Sequence, residues 1–122
     1  MSRAILYVED NPLVAAAIRD VLEFEGWRVT WFADGIAALR EIQSATPYDL
    51  LLLDHELPGI DGVQLIRHAR TLTHREHTPM ILMSAAELGG AAKRAGANLF
   101  LQKPEGVPLL VSTIVQLFNQ AA

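Results

Sequence analysis

The chain has 122 residues, 51% of them hydrophobic, a net charge of −4 and no cysteine. That suits one domain with a sizeable core and excludes disulfides, thiol chemistry and cysteine-based metal sites. The acidic balance leaves no basic surface for nucleic acid, no apolar run approaches the ~20 residues of a membrane span, and MSRAILYVED lacks the pattern of a signal peptide, so a cytoplasmic protein is expected.

Short, nearly all-apolar runs alternate with segments of helical period. AILYV (Ala4 to Val8) reads as the first strand and ends in Glu9 and Asp10. Asn11 and Pro12 resemble an N-cap and first helical residue, opening a helix through Val14, Ile18, Val21 and Leu22 to Gly26. RVTWF (Arg28 to Phe32) is the second strand, with Trp27 and Trp31 read as packing, and Asp34 caps a helix carrying Ile36, Leu39 and Ile42. DLLLL (Asp49 to Leu53) is the third strand; Asp54 follows it, and a third helix begins near Gly62 with Val63, Leu65 and Ile66.

TLTHREHT (Thr71 to Thr78) reads as a long solvated loop, because His74 and His77 have no third metal ligand nearby. MILM (Met80 to Met83) is the fourth strand, ending in Ser84. Taken alone, Ser84-Ala85-Ala86-Glu87 fits a capping box for a fourth helix over Leu88 to Ala95 that stops at Gly96. NLFL (Asn98 to Leu101) is the fifth strand, leading to Lys103 and Pro104, and the last helix holds Leu109, Leu110, Ile114, Val115 and Phe118.

Five strands each followed by a helix read as a (βα)5 three-layer sandwich, one domain over residues 1–122. Its central parallel five-stranded sheet takes the flavodoxin-like order 2-1-3-4-5. In such sheets ligands sit beyond the carboxyl ends of the strands, where this chain places Glu9, Asp10, Asp54, Ser84 and Lys103. That order puts Asp10 and Ser84 on either side of Asp54, with Lys103 reaching in. Carboxylates ~4 Å apart repel by ~4 kcal/mol at an effective dielectric of 20, so clustered acids hold a proton or bind a cation. All-oxygen ligands suit Mg²⁺, and a central carboxylate facing a hydroxyl and an ammonium is a natural nucleophile for a phosphoryl group. Glu9-Asp10-Asn11-Pro12 reads equally well as acids complementing a helix N-terminus, Phe100 as core, and His55 as an exposed bystander or an entrance residue.

AILYVEDNP, LLLLDHELPGIDG, MILMSA and GANLFLQKP, in this order and spacing over the whole chain, resemble the receiver domain of bacterial two-component response regulators. The resemblance implies that Asp54 is the phosphoacceptor, receiving phosphoryl from a histidine kinase or phosphotransfer protein. It implies that Asp10 ligates Mg²⁺, with Glu9 assisting and Glu56 supplying its backbone carbonyl. Ser84 matches the switch hydroxyl, Phe100 the aromatic that turns inward behind it, and Lys103 the phosphoryl-pairing lysine, with a cis bond before Pro104. An altered partner-binding face would act on a downstream effector that the sequence does not name, and the domain stands alone or belongs to a larger regulator or hybrid kinase.

Three departures accompany the resemblance. Ser84 to Gly96 is about three residues short, so the fourth helix is expected to be short or frayed, and dimerisation through it is left open. Glu56 adds a fourth acid. Ala86 offers no group to steer water, which predicts a long-lived acyl phosphate unless Glu56 orients water itself. Two rivals are a phosphorylation-independent pseudo-receiver acting as an interaction module, and a haloacid-dehalogenase-type enzyme. The second wants an aspartate where Glu56 stands and a cap domain for which there is no room.

Overall fold

The computed structural model describes residues 2–120; Met1, Ala121 and Ala122, which the expected domain includes, lie outside the described residues. Five parallel strands, β1 (Ala4–Val8), β2 (Arg28–Phe32), β3 (Leu50–Asp54), β4 (Met80–Ser84) and β5 (Leu99–Gln102), form one sheet in the order β2-β1-β3-β4-β5. The helices are α1 (Pro12–Phe24), α2 (Gly35–Gln43), α3 (Gly62–Arg70), α4 (Gly89–Ala95) and α5 (Leu110–Gln120), as a doubly wound α/β sandwich requires.

The central strands are apolar up to their carboxyl tips because both of their faces are covered. Leu6, Val8, Leu51, Leu53 and Leu82 point to the layer of α2, α3 and α4. Ile5, Tyr7, Leu50, Leu52, Ile81 and Met83 alternate with them and meet α1 and α5. Asn11 caps α1 by accepting the amides of Leu13 and Val14, and Asp34 caps α2 through the Ala37 amide. No described helix is long and apolar enough to cross a membrane.

Strands β3, β4 and β5 each run one residue further toward the tip than expected, because the parallel ladder continues through polar residues: Asp54 pairs with Met83, and Ser84 with Gln102. Leu109 lies in a short 3-10 turn, Val107–Leu109, ahead of α5. The capping box at Ser84 does not form. The helix starts five residues later, Glu87 accepts the Gly89 amide instead, and the reciprocal box of this chain is Asp61 with Gln64 at α3.

The solvated-loop expectation for Thr71 to Thr78 fails at its centre. Arg75 is 2% exposed; it donates from Nε to Ile42 O at 3.0 Å and from Nη2 to Ser44 O and Thr46 O at 3.1 and 2.7 Å, while its guanidinium lies over the Tyr48 ring. His74 Nε2 also donates to Ser44 O at 2.8 Å, since a carbonyl can only accept. The cation thus satisfies carbonyls at the end of α2 and in the α2–β3 connection. Arg70 does the same on the neighbouring side, bonding Gly96 O, Arg75 O, Thr78 O and Asn98 Oδ1, the last of which also accepts the Met80 amide. This rim is the end of the sheet opposite the strand tips.

Candidate functional site

At the carboxyl tips of β1 and β3, ligand oxygens of Glu9, Asp10 and Asp54 lie within 4.8 Å of one another. Strand order creates this meeting, since β1 and β3 are neighbours although 44 positions separate Asp10 from Asp54. Asp54 is 2% exposed, and Lys103 Nζ approaches its Oδ1 at 2.7 Å and Glu9 Oε1 at 3.2 Å. The contact to Asp54 is ionic: its angles fall outside hydrogen-bond geometry, and Oδ1 is a buried oxygen without a hydrogen-bonding donor. The Lys103–Pro104 bond is cis.

Glu9 is held at every polar atom. Its amide donates to Phe32 O at 3.1 Å, its carbonyl accepts Trp31 Nε1 at 2.8 Å, and its carboxylate accepts Asn11 N at 3.2 Å besides Lys103. Trp31 therefore does more than pack. It ties the acidic β1–α1 turn to β2, and the register that pairs it with Tyr7 is the only cue to this in the sequence. Gly62 is a second residue that sequence reasoning missed as part of the site. A Cβ there would lie 2.6 Å from Asp54 O and 2.5 Å from Leu82 Cδ1, so only glycine lets α3 start against the β3 tip.

Ser84 and Glu56 meet across the tip. Ser84 Oγ donates to Glu56 Oε2 at 2.6 Å and accepts Ala86 N at 3.1 Å, and the Ala85 amide donates to Glu56 Oε1 at 3.4 Å. Phe100 is half-buried against the α2–α4 core, behind Gly89. His55 is half-buried, and its Nδ1 accepts the Val63 amide at 3.4 Å at the start of α3.

The electrostatics follow from this crowding. Burial first, then Glu9 and Glu56, push the Asp54 carboxyl up from 3.8 to about 6 against the pull of Lys103. Burial acts to lower Lys103, but Asp54 and Glu9 outweigh it and hold its ammonium above the usual lysine range. Four carboxylates (Glu9, Asp10, Asp54, Glu56) face one ammonium, an excess of three negative charges when all are ionised. Hard oxygen donors and that excess of negative charge fit a small divalent cation held partly by water. Glu9, Asp10 and Asp54 are the side chains placed to hold it.

The profile of the response regulator receiver domain matches residues 5–115. The polar-differentiation response regulator DivK of Brucella ovis is 28% identical over 124 aligned residues, covering 99% of this chain and 100% of that one. Among solved structures, the receiver domain of a sensor histidine kinase from Pseudomonas aeruginosa PAO1, with a magnesium ion coordinated in its active-site cleft, is 34% identical. It covers 98% of this chain and 99% of that one, at a TM-score of 0.86. The receiver domain of a Francisella response regulator is 25% identical and superposes with a TM-score of 0.90, covering 99% of this chain and 100% of that one. With its acids gathered at the tips of a 2-1-3-4-5 sheet and its whole length matched by such relatives, the chain belongs to the receiver-domain family of response regulators.

Proposed function

We propose that this chain, over residues 1–122, is a single phosphoacceptor switch domain in which Asp54 receives a phosphoryl group from a histidine kinase or phosphotransfer protein. The observation that carries the reading is the buried Asp54 carboxylate between the Lys103 ammonium at 2.7 Å and the oxygens of Glu9 and Asp10. As an Asp54 oxygen forms its bond to phosphorus, the P–N bond of the donor phosphohistidine breaks with its electron pair on the imidazole nitrogen. Lys103 balances charge on the transferring oxygens, and the rigid β3 tip holds the nucleophile in line.

Glu9 and Asp10 with Asp54, and the Glu56 backbone carbonyl, would hold the Mg²⁺. When bound, that ion supplies positive charge beside the phosphoryl oxygens. The product adds roughly two negative charges at Asp54. Ser84 and Lys103 then turn toward the new oxygens, Phe100 follows into the vacated space, and the partner-binding face changes. The family likeness and the absence of a membrane-crossing helix among the described residues support a cytoplasmic signalling role.

Intact mass after incubation with acetyl phosphate and Mg²⁺ tests the reading. One added phosphoryl group on the wild type and none on Asp54→Asn is expected. An unmodified wild type would refute it and leave an interaction module that works without phosphorylation.

A further inference from the structure

The contact between Glu56 and Ser84 has no part in the transfer chemistry, yet it engages a residue at the centre of the proposed switch. Two donors converge on one carboxylate: the Ser84 hydroxyl at 2.6 Å and the Ala85 amide at 3.4 Å. Both belong to the β4 tip, directly beside the β3 tip that ends in Asp54. A hydroxyl and a backbone amide aimed at one point form an anion site, and here a side chain of the same molecule fills it. Ser84 is fully buried, so its hydroxyl cannot exchange this partner for bulk water. The Ala86 amide closes the arrangement by donating to Ser84 Oγ, which fixes the hydroxyl proton toward Glu56.

We propose that the Glu56 carboxylate is an internal competitor for the phosphoryl group: it holds Ser84 and the Ala85 amide in the resting domain and must swing out before they can engage a phosphorylated Asp54. This rests on the phosphoacceptor reading of Asp54. The short hydroxyl-to-carboxylate bond is charge-assisted and stronger than a neutral one. Breaking it subtracts from whatever the phosphoryl group gains on meeting the same donors, so the competitor sets how far a given phosphoryl contact shifts the population. Glu56 is exposed, so rotation of its side chain into solvent is open to it.

A simpler effect would also make Glu56 unfavourable, namely repulsion between its charge and the incoming anion. Ser84 separates the two. Binding of beryllofluoride with magnesium chloride, followed in the wild type, Glu56→Ala, Ser84→Ala and the double variant, is expected to tighten by about tenfold on Glu56→Ala when Ser84 is present. In the Ser84→Ala background the same change is expected to give less than about threefold, because the sequestered hydroxyl is gone. Equal gains in both backgrounds would overturn the competitor and leave repulsion alone.

A second readout needs neither metal nor anion. The amide resonances of Ala85 and Ala86 in the free protein are expected to move on Glu56→Ala, and unmoved resonances would overturn the proposal. Were the wild type to bind no beryllofluoride at all, the phosphoacceptor reading would fall; the amide resonances would still decide whether Glu56 holds the serine.

Discussion

Replacing Asp54 with asparagine is expected to stabilise the metal-free protein at neutral pH. The Asp54 carboxyl is buried among acids and stands at about 6 instead of 3.8, with burial the largest cause and Glu9 next among the raising ones. The folded chain therefore binds this proton more tightly than the unfolded chain does. Below 3.8 the group is neutral in both states and costs nothing; between 3.8 and about 6 stability falls as pH rises; above that the loss is constant. At about 1.4 kcal/mol per pH unit, the interval amounts to about 3 kcal/mol, a figure that already contains the attraction of Lys103. Against a typical total of roughly 5–15 kcal/mol this is a large fraction. Urea unfolding of wild type and variant in the presence of a chelator measures it. The gap is expected to be near zero at acidic pH and to grow to about 3 kcal/mol in favour of the variant at neutral pH, with the denaturant slope unchanged. Saturating Mg²⁺ should close the gap by stabilising the wild type, by about 2.7 kcal/mol at a hundredfold excess over the dissociation constant. A variant less stable than wild type at neutral pH without metal, or a gap that widens toward acid, would refute the reasoning.

Two further outcomes are expected. Arg75→Met should cost about 2–3 kcal/mol in urea unfolding, because Thr46 O loses its guanidinium donor and Ile42 O and Ser44 O keep only His74, while phosphorylation of the folded protein stays intact; a loss under about 0.5 kcal/mol would refute the argument. Trp31→Phe should cost about 1 kcal/mol and weaken Mg²⁺ binding several-fold by releasing the Glu9 carbonyl, with Mg²⁺ affinity read by calorimetry; an unchanged affinity would show that the acidic turn holds itself.

The strand order and the tip cluster were legible because they depend on signals a chain carries locally: apolar runs of strand length, caps such as Asn11 and Asp34, and acids where the runs stop. Parallel pairing then leaves few topologies to choose from. The one-residue errors at Asp54 and Ser84 arose because polarity marks the end of a buried face, whereas the ladder ends only when its hydrogen bonds do. Arg75 was illegible for a different reason: the carbonyls it satisfies lie about thirty residues away, so nothing around TLTHREHT announces that a charge there will be enclosed. Likewise S-x-x-E fits a cap only if a helix starts at once, and Gly89-Gly90 delay it, freeing Ser84 to meet Glu56. Acids at the tips of neighbouring strands are readable; partners chosen by the folded surface are not.

Arg70 anchors α4 at one end only. Its Nε holds the Gly96 carbonyl, and its guanidinium shares Asn98 with the first residue of β4, so the C-terminal end of the helix is riveted to the far rim. At the other end, no side chain of Leu88 closes the helix, and the backbone from Ala85 onward is steadied by Glu56 and Glu87. A rod of seven residues, roughly 10 Å long, is thus packed on the core through Ala92 and Ala95 and tied by Arg70 beneath Gly96. A displacement of Ser84 is therefore expected to be felt first at the Leu88 end of α4, away from the Arg70 anchor.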